Sequence, residues 1–336
     1  ECMRFCGFQN VTVNIPQAAY RAARAKNRKG RIENFYNELT QTMDLAAQAH
    51  LQKRAKVTEM MSGPGHPLWQ IGKPSCDGKP YVDLDSSTYI IGLIGLNDAV
   101  KFLIGHELHE SKEALRLGLH IIAHMYLYAR KLSKKHNLKF TLEETPAESA
   151  ARRLAKTDLL YFPDEAADVV KGADPDTAYY TNSVHLAAEA DVSLVERIRC
   201  QGQFHSLIES GAITHAFVGE ERPSRTSIAK LMKDVFFRTQ SAQVTISPEF
   251  TYCNHCDHAM RGLLEICEAC GSEDVVGETR VVGYFSKIQN WNKSKRYGEL
   301  KARHQGRYSV QTADAFDDAS TVVAGAPERE RAGTSG

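Results

Sequence analysis

Apolar residues recur along this chain in two rhythms. One is helical. Ile32, Phe35, Leu39, Met43 and Ala46 fall three or four apart and predict a helix over 31–58. Leu115, Leu119, Ile122, Tyr126 and Ala129 predict a long helix within 110–136. Shorter helices are predicted over "AESAARRLAKTDLL" (147–160), over 192–209, where Gly211 is expected just past the end, and over 224–238. The other rhythm is a series of short runs rich in β-formers. These are "GFQNVTVNI" (7–15), stopped by Pro16; "SSTYIIGLIGLNDAV" (86–100), a buried strand leading into a helix start; and "KFTLEETP" (139–146), stopped by Pro146. "AITHAFVG" (212–219) and "AQVTISPEFTYC" (242–253) complete the set. "MMSGPGHP" reads as a loop on its Gly and Pro content, and "YYTNSVHL" (179–186) as a loop or short strand. Strands alternate with helices, so the pattern predicts an α/β architecture with a mostly parallel sheet or barrel. No fixed-period repeat is visible. From about Gln311 the large apolar residues thin out, and the tail 311–336 is predicted to be disordered.

Composition narrows the function classes. Of 336 residues, 42% are hydrophobic and 25% charged, enough for a sizeable core in one large domain or two smaller ones. A net charge of +1 supplies no global field for nucleic acid or a membrane surface. No apolar run approaches the roughly 18 residues that a spanning helix needs. The start, "ECMRFCGFQ", lacks the apolar stretch and cleavage site of a signal peptide, and it does not begin with Met. A strand pattern begins almost at once, so the chain is expected to be a cytoplasmic fragment whose N-terminal part is missing.

Eight cysteines in a chain this long, without a secretion signal, point to metal or redox use rather than a disulfide framework. Cys253, Cys256, Cys267 and Cys270 form two CxxC pairs in "CNHCDHAMRGLLEICEAC". Two intervening residues let both thiolates of a pair turn toward one ion, and the residues between the pairs suffice for a short hairpin. A closed, structural Zn²⁺ site with four thiolates is the expectation, against an iron–sulfur cluster or a redox dithiol pair. His255 and His258 lie inside this loop but are not needed as ligands. Cys76 and Cys200 have no evident partner and read as structural.

Other motifs carry less. "HELHE" (106–110) is not the zinc-protease HExxH, because Glu110 stands where the second His belongs; a partly exposed helical face is expected there. His120 and His124 read as core or helix-interface histidines. The basic run "RAARAKNRKGR" (21–31) reads as a solvated face.

Several stretches together resemble one family. They are "NVTVNIPQAAYRA", "YIIGLIGLNDAV", "ETPAESAARRLAKTD", "YYTNSVHL", "ITHAFVGEERPS", and the CxxC pairs directly before "RVVGYFSKIQNWNKSKRYGELKAR". The chain resembles the C-terminal portion of anaerobic (class III) ribonucleoside-triphosphate reductases, which are glycyl-radical enzymes. The resemblance covers about residues 1–310. It implies a ten-stranded α/β barrel whose first strands lie upstream of Glu1. Residues 1–250 would be the partial barrel, 251–275 the zinc ribbon and 276–310 the glycyl-radical domain.

The resemblance also implies site residues. Taken alone, "RVVGY" describes a strand or turn glycine. With the ribbon before it and "WNKSKRYGELKAR" after it, Gly283 becomes the expected radical store. A Cα radical must be planar and is shared by the amide nitrogen and the carbonyl, and glycine has no Cβ to obstruct this. Its apolar neighbours Val281, Val282, Tyr284 and Phe285 are expected to shield it from water and oxygen. Cys2 and Cys6 are the candidates for the cysteine that becomes a thiyl radical. Cys2 looks more like the family's finger-loop cysteine, and Cys6 lies where a dithiol partner is found, or else is a buried small hydrophobe. Asn14 is the expected ribose-hydroxyl contact, or else a strand-end residue bonding its own backbone. Asn182 and Ser183 are expected to line the site. Glu148 and Ser149, at a helix N-terminus, are expected either to hold phosphate with their amides or to form a plain N-cap. The partners implied are a ribonucleoside triphosphate, a radical-SAM activating enzyme, a thioredoxin-like reductant or formate, and a second copy of the chain. The alternatives are another glycyl-radical lyase and a non-catalytic zinc-ribbon binding protein.

Overall fold

The computed structural model describes residues 5–23, 28–147, 149–172 and 174–305. Cys2, Glu148 and the tail from 306 onward lie outside the described residues.

Two sheets organise the described chain. The first is parallel, in the order β1 (Gly7–Asn14), β2 (Thr88–Ile94), β3 (Lys139–Glu144). Between β1 and β2 run α1 (Ile15–Ala22), the long α2 (Arg28–Met61) and the short α3 (Trp69–Gly72). Between β2 and β3 run α4 (Leu96–Ile104) and α5 (Lys112–His136). The central strand, "TYIIGLI", is apolar at nearly every position, as burial on both faces demands. Ile91 and Leu93 of β2 share one core with Phe35, Leu39 and Met43 of α2, Ile121, Ile122 and Met125 of α5, and Phe140 and Leu142 of β3.

After β3 come α6 (Ala150–Tyr161), α7 (Pro163–Ala166) and α8 (Leu194–His205). The second sheet follows. β4 (Thr214–Gly219) pairs parallel with β5 (Val244–Cys253) through the crossover helix α9 (Arg225–Arg238). β6 (Ala259–Arg261), β7 (Val275–Arg280) and β8 (Phe285–Lys287) then add antiparallel pairings. Leu231 and Val235 of α9 pack with Leu194, Val195 and Ile198 of α8 over Ala216 and Val218 of β4. A wide-turned helical segment (Ser294–Glu299) leads into α10 (Leu300–Gln305). The two sheets meet where Ser210 N–H donates to Leu142 O (2.9 Å) and Glu144 N–H donates to Gly211 O (2.9 Å). Among the described residues, eight strands in two sheets are present rather than one closed ring of ten.

Four expectations need correction. The helix expected over 192–209 ends at His205, and Gly211 does not cap it. Gly211 has φ +148 and gives its carbonyl to the end of β3, so a tertiary pairing rather than the helix end selects it. "HELHE" is not helical. Gly105, at φ +83, closes α4, and Ser111 opens α5 by accepting from Ala114 N–H (3.0 Å), which leaves 106–110 as a turn between them. In that turn Glu107 is buried and accepts from Asn97 (2.9 Å), Lys101 (3.1 Å) and Lys171 (2.9 Å). Of the two α5 histidines, His124 bonds Thr40 Oγ1 (2.9 Å), but His120 is exposed. Cys200 is buried, whereas Cys76 is exposed and packs into no core.

Candidate functional site

The turn between β7 and β8 carries Gly283. Arg280 and Phe285 face each other across the strand pair, and Val281 N–H donates to Tyr284 O (2.9 Å) to close the turn. Arg280 Nη1 donates to Gly283 O (2.9 Å). From α10, Arg303 donates Nη1 to Arg280 O (2.7 Å) and Nη2 to Val281 O. The same guanidinium lies 4.1 Å from the Phe217 ring centre and 5.6 Å from that of Trp291. Its charge is met by Glu299, which also pairs with Lys295. Burial alone would raise the Glu299 carboxyl, but the charges of Lys295 and Arg303 outweigh it and hold the group down at about 2. The expected apolar shield is only half formed. Val281 and Val282 are buried, whereas Gly283 is exposed and Tyr284 is 58% exposed. The turn buries its leading side, which faces β4 and α10, and leaves its trailing side open.

A second element approaches from the ends of the parallel strands. Gly95 N–H donates to Thr181 O (3.1 Å) and Leu96 N–H to Ser183 O (3.1 Å), so residues 181–183 are stitched to the end of β2. Ser183 adopts φ +44, and its Oγ donates to Leu93 O (3.2 Å) and Thr145 O (3.3 Å). Asp98 Oδ2 accepts from Thr181 N–H (2.9 Å) and fixes the loop from below. Burial pushes that carboxyl up to about 6, against the opposing charge of Lys171.

Asn182 bridges to Ile94, and Asn14, the last residue of β1, is in register with Ile94 as well. Asn14 does two things. Its side-chain oxygen caps α1 by accepting from Gln17 N–H (3.4 Å), and its Nδ2 donates to buried Asp158 Oδ2 (2.7 Å). Asp158 is held in turn by Gln17 Nε2 (2.7 Å) and Tyr180 OH (2.9 Å). Ser149 is the N-cap residue of α6, with no side-chain cap bond.

These two elements share a cavity of about 50 Å³. Asn182, His185, Gln201, His215, Val282 and Arg303 line it. Asn182 Oδ1, Gln201 Oε1 and both ring nitrogens of His215 are buried there without a protein partner. Burial, then the neighbouring charges of His185 and Arg303, hold His215 well below its usual range, so its ring is neutral. Next to it, Glu144 Oε2 accepts from Ile213 N–H (2.8 Å) and lies 3.2 Å from His185 Nε2, while His205 Nε2 lies 3.7 Å from Oε1. Sequence reading missed the group made of Glu144, His185, His205 and His215. Its members are scattered over four segments with no common spacing, and the only sign was that Glu144, His185 and His215 lie within stretches already singled out.

Cys6 is placed apart from this cavity. It is half-buried at the N-terminal end of β1, and its carbonyl accepts from Thr88 N–H (2.8 Å). Asn14 closes the other end of the same strand, about 26 Å away at the usual rise per residue.

The four CxxC cysteines do converge. Their sulfurs all lie within 4.8 Å of one another, with Cys253 Sγ–Cys270 Sγ at 3.6 Å and Cys256 Sγ–Cys267 Sγ at 3.7 Å. Cys253 ends β5, and the β5–β6 hairpin returns the chain to the second pair. Such a cluster can hold a metal ion. It braces β5, the strand on which β7 and the glycine turn are built.

Comparison with known proteins decides the family. The model of the family described as "Anaerobic ribonucleoside-triphosphate reductase" matches residues 3–305. The chain belongs to the anaerobic ribonucleoside-triphosphate reductase family. The Haemophilus influenzae anaerobic ribonucleoside-triphosphate reductase is 22% identical over 82% of this chain and 39% of its own length. The Escherichia coli reductase is 25% identical over 67% of this chain and 30% of its own. The chain thus spans well under half the length of these relatives. A solved anaerobic ribonucleotide reductase superposes with a TM-score of 0.71 at 21% identity, over 91% of this chain and 45% of that one. The Thermotoga maritima anaerobic ribonucleotide reductase, solved with dATP and CTP, superposes with a TM-score of 0.66 at 21% identity, over 87% of this chain and 45% of that one. The α/β fold is therefore the reductase fold. No helix among the described residues is long and apolar enough to cross a membrane.

Proposed function

We propose that this chain is the radical-bearing portion of an enzyme that reduces ribonucleoside triphosphates to 2′-deoxyribonucleoside triphosphates in the absence of oxygen. Gly283 stores the radical. The observation that carries this reading is that Val282, beside Gly283, and Asn182, at the end of the parallel sheet, line one cavity. A radical kept on the turn is then next to the strand ends, where α/β folds bind their substrates.

In this reading Cys2 passes the radical on. The Gly283 radical takes the hydrogen atom from the cysteine S–H, which restores Cα–H and leaves a thiyl radical. The thiyl removes a hydrogen atom from the ribose 3′ carbon, and the 2′-OH takes up a proton and departs as water. The reductant, a thioredoxin-like dithiol or formate, supplies two electrons that with protons leave hydrogen at the 2′ carbon, and the cysteine S–H returns its hydrogen atom to the 3′ carbon. Asn14 holds a ribose hydroxyl, with its amide oriented by Asp158. Asn182 and Ser183 line the sugar site, and the amide of Ser149, the N-cap residue of α6, holds phosphate together with that of Glu148. Segments outside this chain complete a ten-stranded barrel and cover the open side of the turn. A separate radical-SAM enzyme activates Gly283, and the active form is a cytoplasmic homodimer.

The four cysteines fit zinc. Zn–S bonds of about 2.3 Å in a tetrahedron require sulfurs about 3.8 Å apart, close to the distances found. Bound zinc would supply structural cross-linking there and no chemistry.

The test is anaerobic activation of the whole protein. A doublet EPR signal that disappears in Gly283→Ala is expected, as is backbone cleavage at Gly283 when the activated enzyme meets air. No doublet in the wild type, or a doublet retained by the variant, sinks the reading. Cys2→Ser is expected to keep the doublet and lose turnover. Cys6→Ser separates the reductants: lost turnover points to a thioredoxin-like dithiol, and turnover sustained by formate points to formate.

A further inference from the structure

Arg280 is the one charged side chain described as bonding to Gly283. Its Nη1 lies 2.9 Å from Gly283 O. The guanidinium is steered there from two sides. Its Cζ lies over the Phe285 ring, 5.4 Å from the centre, and Arg303 ties down the carbonyl of Arg280 itself (2.7 Å). Arg280 Nε is buried with no hydrogen-bond partner, while the Nη1 contact with Gly283 O lies on the exposed side of the turn.

The choice of acceptor matters. When a hydrogen atom leaves the Cα of a glycine, one unpaired electron remains. It is shared between the amide nitrogen, which donates electron density, and the carbonyl, which withdraws it. A cationic donor on that carbonyl oxygen increases the withdrawal. It also fixes the carbonyl orientation, and so the planarity that sharing requires. Charge-assisted bonds are the strong class of hydrogen bond. We propose that Arg280 is a tuning and positioning residue for the Gly283 radical, which it stabilises by hydrogen-bonding the carbonyl that withdraws spin. This rests on the radical reading of Gly283. The hydrogen atom itself goes to the activating radical on the way in and returns from the cysteine S–H on the way out, so Arg280 gains and loses nothing.

The test compares Arg280→Met, which removes the donor, with Arg280→Lys, which keeps a cationic one, in the whole protein. Three quantities are read. The first is the glycine-carbonyl ¹³C shift of Gly283 before activation, which reports the hydrogen bond without any radical. The second is the yield, lifetime and doublet splitting of the EPR signal after activation. The third is hydrogen–deuterium exchange over 278–288, which reports whether the turn is intact. Arg280→Met is expected to move the carbonyl shift, alter the splitting and lower the radical yield on the order of tenfold. Arg280→Lys is expected to recover much of that yield. An Arg280→Met signal with wild-type yield, splitting and lifetime overturns the proposal. So does an unmoved carbonyl shift. Equal loss of signal in both variants with equally raised exchange also overturns it, because the role is then only structural. A wild-type protein that gives no doublet while its carbonyl shift still responds to Arg280→Met refutes the radical reading itself, a distinct result.

Discussion

Glu299 sits between Lys295 and Arg303, and all three side chains are buried. Removing one member of such a group leaves uncompensated charge in a dry place, which costs about 3–5 kcal/mol. Glu299→Gln is therefore expected to destabilise the fold by about that amount and to loosen the glycine turn through Arg303, as read by denaturant unfolding. Acid should act in the same way. Glu299 and Glu107 are both held at about 2 against an ordinary 4.5; in each case burial opposes ionisation, and neighbouring Lys or Arg charges win. The folded state thus prefers both groups ionised. Their contribution is complete above about pH 4.5 and is lost as pH falls toward 2. Unfolding free energy measured against pH should drop through that window. The slope should be shallower in Glu299→Gln and Glu107→Gln; an unchanged slope would count against these pairs.

At the scale of elements, the packed strand ends leave little freedom. A Cβ added to Gly92 in β2 would meet Thr145 Oγ1 at 2.1 Å and Asn10 Oδ1 at 2.2 Å. Gly92→Ala should cost about 1–3 kcal/mol by overpacking, whereas Gly63→Ala, with nothing within 4 Å, should be near neutral. Thermal unfolding of the pair checks this. The ribbon offers another test. Because Cys253 ends the strand that supports β7, Cys253→Ser or a strong chelator should raise hydrogen exchange in 275–287 before it affects the parallel sheet. Metal analysis should give about one zinc per chain. Exchange that rises first in β1–β3 would contradict this coupling.

For the whole molecule, the open side of the glycine turn is the informative feature. Tyr284 is 58% exposed, while the relatives are more than twice as long as the stretch this chain matches. Amides 281–285 in the whole protein are expected to exchange slowly, and exchange as fast as in an unstructured peptide would refute a covered turn.

Much of the scaffold was legible in the sequence. Periodicity located α2 and α5 to within a few residues, because one face of each is buried against a sheet and the other is wet. The continuous apolar run of β2 announced a strand covered on both sides, and the CxxC spacing announced the sulfur cluster, since both are encoded by neighbours in sequence. What only the tertiary structure decided was encoded by no spacing at all. That Gly211 serves β3 rather than α8, that "HELHE" is a turn around a buried carboxylate, and that Cys6 and Asn14 stand at opposite ends of one strand all depend on contacts between distant segments. The same holds for the turn itself. "RVVGY" marked the glycine, but the bonds from Arg303 to the turn's carbonyls and the cavity it shares with Asn182 exist only because β4, β7, α10 and the 179–186 segment come together. Local patterns record what each segment buries, whereas a site records which segments meet.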